Sequence, residues 1–148
     1  MNNERPSWDE YFMKLAEDVS TRSTCRRHVG AVITKNNVIV STGYNGSPKG
    51  LTHCSENGGC IREKNNVPSG TMQEFCRAVH AEQNAIIQAA VNGTSIKGGT
   101  IYINTYPCSI CTRMLINAEI KRIVYNSDYS DELSKKMLDE SGIEVVKF

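Results

Sequence analysis

The chain has 148 residues, enough for one domain with a substantial hydrophobic core. Its 17 basic and 16 acidic side chains leave a formal net charge of +1, so charge favours no nucleic-acid partner. No apolar run is long enough to cross a membrane, and residues 1–5 lack the apolar core of a signal peptide. Six cysteines without an export signal indicate metal binding in a reducing, cytoplasmic compartment, with no membrane partner.

The predicted elements begin with a helix and a hairpin. Ser7 and Glu10 form a capping-box pair, and apolar residues follow at helical spacing as far as Val19. This apolar stripe predicts a helix packed on a sheet. Two β-branched runs, at 29–34 and 38–42, flank a short polar turn and predict two hairpin strands.

A glycine-rich turn is predicted directly after the second strand, in the run Gly43-Tyr44-Asn45-Gly46. We expect its glycines to supply positive φ angles. In the functional alternative, Asn45 presents its side-chain amide to a small ligand.

The segment at 50–77 shows no helical or strand periodicity and is predicted to be a long loop insert within a single domain at 1–148. A loop of this length in a small domain should either have a function or be stabilised by a bound group such as a metal ion. We hypothesise a second, structural zinc held by four thiolates. The four candidate ligands are Cys25, Cys54, Cys60 and Cys76. His53 in place of one cysteine, or four buried thiols without metal, are the alternatives.

Helices alternate with strands through the rest of the chain. The alternation predicts an α/β fold, with a mixed sheet covered by helices on both faces. The predicted helices are 81–91, 108–118 and 131–140, and the predicted strands are 100–105, 121–125 and 143–147.

Two short motifs, H-A-E and P-C-S-I-C, carry the clearest chemical signal. His80, Cys108 and Cys111 are zinc-type ligands, and three protein ligands leave a fourth tetrahedral position for water. The three side chains can converge if His80 begins one helix and both cysteines lie in the first turn of another. Glu82 would then lie near enough to transfer protons. An isolated motif would equally suit a structural zinc or a redox pair, but the two together favour a catalytic zinc.

The order H-x-E followed by P-C-x-x-C resembles zinc-dependent nucleobase deaminases. Several separated motifs, spread over nearly the whole chain, resemble deoxycytidylate (dCMP) deaminases in particular. These motifs are Arg22-Ser23-Thr24-Cys25, Val29-Gly30-Ala31-Val32, Gly43-Tyr44-Asn45-Gly46, the run from His80 to Ile86, Pro107-Cys108-Ser109-Ile110-Cys111, and the run from Ile120 to Tyr125. The resemblance implies a cytidine deaminase-like three-layer fold with about five strands.

The resemblance also implies an activity, hydrolytic deamination of dCMP to dUMP for thymidylate synthesis. It implies Glu82 as the proton carrier, the backbone near Ala81 as a reader of the base, and Asn45 as a ligand of the deoxyribose. Family members are homo-oligomers, commonly hexamers, and many are activated by dCTP and inhibited by dTTP. The run 43–46 could therefore also contact an allosteric nucleotide.

The phosphate of a nucleotide needs cations. Arg26 and Arg27 lie in the turn before the first strand, and Arg27 is the preferred candidate, with Lys49 as another. Solvated surface charges are the alternative for all three. Tyr106 and Tyr129 are candidates for stacking or gating, with ordinary packing as the alternative.

Three functions compete at this point. A nucleotide deaminase should turn over dCMP better than deoxycytidine. A polynucleotide deaminase, such as one acting on tRNA adenosine, would usually need a basic face that this near-neutral chain lacks. A purely structural zinc module would have no use for Glu82.

Overall fold

A mixed five-stranded sheet forms the centre of the computed structural model, which describes residues 4–148. Residues 1–3, part of the segment that lacks a signal-peptide core, lie outside this range. The strand order is β2-β1-β3-β4-β5. The strands are β1 (Gly30–Lys35), β2 (Val38–Tyr44), β3 (Thr100–Ile103), β4 (Arg122–Tyr125) and β5 (Glu144–Lys147). β1 is antiparallel to both β2 and β3, whereas β3, β4 and β5 are parallel.

The described residues form five α-helices, and all but the shortest pack on the sheet. They are α1 (Trp8–Ser20), α2 (Ile61–Lys64), α3 (Ala81–Val91), α4 (Ser109–Asn117) and α5 (Glu132–Ser141). The amino end of α1 has the predicted capping box, because the Glu10 N–H donates to Ser7 Oγ and the Ser7 N–H donates back to Glu10 Oε2. No helix among the described residues is both long and apolar enough to cross a bilayer.

Two hydrophobic clusters, one on each face of the sheet, hold the layers together. On one face, Phe12 and Met13 of α1 pack against Val32, Tyr102 and Val124. The opposite face is covered by α3, α4 and α5, through buried residues that include Ala85, Leu115 and Leu138. The predicted α/β fold, with about five strands and helices on both faces, is therefore confirmed.

The hairpin between β1 and β2 is also confirmed. Asn36 and Asn37 both have positive φ, 50° and 60°, as the tightest hairpin turns require.

Two sequence predictions need correction. β2 continues to Tyr44, two residues past its predicted end, so Gly43 lies in a strand and not in a turn. Neither Gly43 nor Gly46 has a positive φ. The predicted loop at 50–77 contains the single-turn helix α2 and a 3-10 turn at Gln73–Phe75, both too short to produce a periodic signal.

Candidate metal and nucleotide site

The amino ends of two helices meet at the carboxyl end of β3. His80 is the N-cap residue of α3, and Cys108 is the N-cap residue of α4. Cys111 lies in the first turn of α4, and Glu82 lies in the first turn of α3. The predicted placement of all four side chains at helix starts is confirmed. The His80 N–H donates to Gln83 Oε1 at 2.8 Å, which helps to fix the start of α3.

The three proposed ligands lie at the spacing that a zinc ion needs. His80 Nδ1 is 3.4 Å from Cys108 Sγ and 3.3 Å from Cys111 Sγ. Zinc bonds to sulfur of about 2.3 Å and to nitrogen of about 2.0 Å predict a tetrahedral N···S edge of about 3.6 Å. All three ligand atoms lie within 4.8 Å of one another. One imidazole and two thiols at this spacing fit zinc.

Burial and mutual hydrogen bonding alter the acidity of these groups. The hydrogen bond from Cys111 lowers the pKa of Cys108 to about 4, with His80 contributing, whereas the pKa of Cys111 is raised. The pair therefore readily provides the first thiolate, which is the form that binds metal. Burial raises the pKa of Glu82, whose side chain is only 3% exposed.

An open cavity of about 470 Å³ leads to this group, a volume typical of small-ligand sites. His80, Glu82 and Cys108 form part of its wall. Ala81, also predicted to contact the base, is fully buried and lines the same wall. Its position in the first turn of α3 leaves its backbone N–H outside the helical hydrogen-bond pattern.

Arg27 faces the cavity and is held in place by two neighbours. Its guanidinium donates to Thr105 Oγ1 at 2.6 Å and lies 5.3 Å from the centre of the Tyr129 ring. Arg26 also lines the cavity. Lys49 is exposed and does not belong to the cavity wall within the described residues.

The Asn45 side chain lines the cavity, and half of its hydrogen-bonding capacity is committed to protein. Its Oδ1 accepts from the Val29 N–H at 2.9 Å, and its Nδ2 donates to the Arg27 carbonyl at 2.7 Å. One N–H and one lone pair remain for a ligand. The adjacent Tyr44 carbonyl accepts from Asn84 Nδ2. A nucleotide contact by the run 43–46 stays a prediction.

The two candidate tyrosines differ in their surroundings. Tyr106 packs edge-on against Tyr125, with ring centres 5.0 Å apart, as the packing alternative expects. Tyr129 lies beneath the Arg27 guanidinium, and burial raises its pKa while Ser69 hydrogen-bonds to it. Both tyrosines line the cavity, and a ligand contact by either stays a prediction.

Four further cysteines line the same cavity. They are Cys25, Cys54, Cys60 and Cys76. Burial raises the pKa of the Cys25 thiol, and the charges of the other three reinforce the effect. Within residues 4–148, only His80 and its two cysteine partners bring three ligand atoms within 4.8 Å of one another. The four sulfurs are therefore neighbours but not at coordination distance, and the second zinc stays a prediction.

Several cavity residues have no distinctive sequence signal. Arg62 donates to the carbonyls of Pro68 and Met72, and so ties the loop wall together. Thr105 receives the Arg27 hydrogen bond. Gln73 Oε1 lies 3.9 Å from Cys108 Sγ. The Thr105 and Gln73 contacts join distant segments, and the Arg62 contacts lie within a loop without periodicity, so spacing along the chain could not have identified them.

Comparison with known proteins gives a consistent family. The model of the cytidine and deoxycytidylate deaminase zinc-binding region matches residues 6–127. Deoxycytidylate deaminase of Schizosaccharomyces pombe is 36% identical over 99% of this chain, which spans only 46% of that protein's length. Deoxycytidylate deaminase of Mycobacterium phage D29 is 37% identical over 82% of this chain and 95% of its own length.

A solved structure agrees with the sequence relatives. The crystal structure of dCMP deaminase from the cyanophage S-TIM5, in complex with dCMP and dUMP, superposes with a TM-score of 0.81 at 32% identity. The superposition covers 99% of this chain and 100% of that one. On the matched family model and these relatives, the chain belongs to the cytidine and deoxycytidylate deaminase zinc-binding family.

Proposed function

We propose that the protein hydrolyses dCMP to dUMP and ammonia. The observation that carries the proposal is the buried Glu82 carboxyl beside a three-ligand metal site, at the wall of a nucleotide-sized cavity. Relatives of this chain are deoxycytidylate deaminases, and one was crystallised with dCMP and dUMP. A purely structural metal site would gain nothing from a buried carboxyl at this position.

The chain's own residues supply the proton transfers. His80, Cys108 and Cys111 would hold the zinc, which would supply the Lewis acidity that makes water a better nucleophile. Glu82 accepts one proton from the water that adds to C4 of cytosine and delivers it to N3. It then accepts the second proton from the new C4 hydroxyl and delivers it to the departing amine. The C4–N bond breaks, a C4=O bond forms, and ammonia leaves. A raised pKa of Glu82 suits a group that both accepts and returns protons.

Arg27 is proposed to select the 5′-phosphate. Its guanidinium lines the cavity, and the contacts to Thr105 and Tyr129 restrict its orientation before a ligand arrives. A preorganised guanidinium suits a phosphate, since it offers several donors in one plane. Arg26, on the same wall, is the second cation.

The test compares three substrates in parallel by the loss of cytosine absorbance. Zinc-loaded protein should turn over dCMP well, deoxycytidine poorly and cytosines in single-stranded DNA not at all. Arg27→Ala should raise the KM for dCMP and leave deoxycytidine turnover nearly unchanged, and Arg26→Ala should raise the KM for dCMP by less. Absence of dCMP turnover by zinc-loaded protein would refute the proposed activity.

We propose that the second zinc has a structural role and stabilises the 50–77 insert. Its support is the presence of four thiols around one cavity and the electrostatic influence of three of them on Cys25. Metal analysis should then find two zinc ions per chain, falling to one in Cys54→Ser and in Cys60→Ser. One zinc in the unmodified protein would refute it.

We also propose a cytoplasmic homo-oligomer, a hexamer by family resemblance, regulated by dCTP and dTTP. Exposed apolar side chains on α3 and α4 support self-association, namely Ile87, Val91 and Met114. Light scattering of purified protein tests the oligomer, and a monomer at micromolar concentration would refute it. Activation by dCTP and inhibition by dTTP, assayed at subsaturating dCMP, test the regulation.

A further inference from the structure

Two asparagine side chains hydrogen-bond to the backbone of residues 27–30, where the chain enters β1, one from each side. On the β2 side, Asn45 accepts from the Val29 N–H and donates to the Arg27 carbonyl. On the β3 side, Asn104 Oδ1 accepts from the Gly30 N–H at 2.9 Å. The Nδ2 of Asn104 donates to the His28 carbonyl at 3.0 Å.

The two sets of hydrogen bonds follow the alternating direction of backbone groups in an extended strand. Backbone groups of successive residues point to opposite neighbours, so residues 27 and 29 face β2 while residues 28 and 30 face β3. β2 ends at Tyr44 and β3 ends at Ile103, one residue before each asparagine. The two side-chain amides therefore continue the sheet's hydrogen-bond ladder where both flanking strands have ended.

Asn104 is also joined to the loop that leads to the metal ligands. Its carbonyl accepts from Ser127 Oγ at 2.6 Å, and the Ser127 carbonyl accepts from the Tyr106 N–H at 2.8 Å. The residue between Asn104 and Tyr106 is Thr105, whose hydroxyl oxygen accepts from Arg27. Asn104 thus fixes both the backbone that carries Arg27 and the start of the loop that receives its guanidinium.

We propose that Asn104 is a positioning residue for nucleotide binding, which acts by holding the 27–30 backbone so that Arg27 meets the substrate phosphate. This inference rests on the proposed role of Arg27. Without the Asn104 amide, the carbonyl of His28 and the N–H of Gly30 lose their partners, and the Arg27 backbone is held from the β2 side alone.

A double-mutant cycle on the zinc-loaded full chain tests the inference. Asn104→Ala should raise the KM for dCMP about tenfold, because its two hydrogen bonds to the backbone of residues 28 and 30 are lost. Its kcat should change by less than about twofold, since the lost interaction concerns binding. In an Arg27→Ala background, Asn104→Ala should add nothing, because residues that act through one another are non-additive.

Two further variants keep the test decisive. Asn117→Ala, at the exposed carboxyl end of α4, should behave as wild type and controls for loss of an amide. Asn104→Asp keeps an acceptor for Gly30 but places a carboxylate oxygen against the His28 carbonyl, and it replaces the alanine variant in the cycle if that variant unfolds.

The outcomes separate the two proposals. If Arg27→Ala raises KM and the two effects add, Asn104 does not act through Arg27, and this inference fails while the phosphate proposal stands. If Arg27→Ala leaves the KM for dCMP unchanged, both fail together. An equal fall in kcat for dCMP and deoxycytidine in Asn104→Ala would show general loosening and would also overturn the inference.

Discussion

Glu82 lies in a buried position, where ionisation of a carboxyl is unfavourable. The side chain is almost completely buried, and burial is the largest cause of its raised pKa. His80 and the two cysteines surround it, so its charge is felt directly at the metal site. Glu82 belongs to none of the ion pairs found within residues 4–148, and a buried carboxyl of this kind is better explained by proton transfer than by stability.

The variant Glu82→Gln separates these roles, since it keeps the shape of the side chain and removes its basicity. We expect kcat for dCMP to fall by about 10²–10⁴-fold, the usual contribution of a general base. Zinc content and the unfolding midpoint should stay near wild type. Activity that persists in a zinc-loaded Glu82→Gln protein would assign proton transfer to another group.

Among the secondary-structure elements, the contact between β2 and α3 determines how closely the helix that carries His80 and Glu82 approaches the sheet. Gly43 lies in β2 directly against the first turns of α3. A Cβ at this position would lie under 3.0 Å from the Ala81 carbonyl oxygen and the Ala85 nitrogen, both of which are backbone atoms. The glycine is thus needed for close packing of the helix that carries His80 and Glu82.

Gly43→Ala should therefore push α3 away from the sheet. We expect a loss of about 1–3 kcal/mol in the free energy of unfolding, as for other overpacked sites, together with weaker zinc retention. Denaturant unfolding and metal analysis provide the measurement. Gly46→Ala is the matched control for stability, because no atom lies within 4 Å of its added Cβ, and it should unfold close to wild type.

At the scale of the whole molecule, two ion pairs that share Arg122 link the beginning of the chain to its end. Arg122 of β4 makes a two-pronged contact with Asp9 of α1, at 2.7 and 2.8 Å, and also pairs with Glu144 of β5 at 3.2 Å. The Tyr102 hydroxyl donates to Asp9 as well. The hydrogen bond from Arg122 is the largest cause of the lowered pKa of Asp9.

Asp9→Asn should lower the free energy of unfolding at neutral pH by about 1 kcal/mol, at the upper end for a partly exposed pair. Because the folded-state pKa of Asp9 is lowered, its contribution is present above the unfolded-state pKa and is lost as pH falls through the folded-state pKa. The wild-type advantage should thus shrink in acid. Thermal unfolding against pH measures this, and Asp128→Asn, in the exposed pair with Lys147, should have little effect.

Much of the site could be predicted from the sequence because it depends on short-range geometry. The spacing in the H-A-E and P-C-S-I-C motifs places His80, Glu82, Cys108 and Cys111 at helix starts, whichever way the helices are later packed. The capping box at Ser7 and the turn at Asn36 likewise depend on residues at most three positions apart. Resemblance to dCMP deaminases added the substrate class.

Only the tertiary structure decided how distant segments meet. The placement of β1 between β2 and β3 brings Asn45 and Asn104 to opposite sides of one segment, although they are far apart in the chain. The same packing makes Gly43 a contact residue instead of a turn residue. It also brings Cys25 to the same cavity as the three loop cysteines, but without three of the four sulfurs within 4.8 Å of one another. Such contacts depend on strand order and on how closely the helices approach the sheet. Neither feature produces a periodic pattern in the sequence, so the spacing of residues cannot predict it.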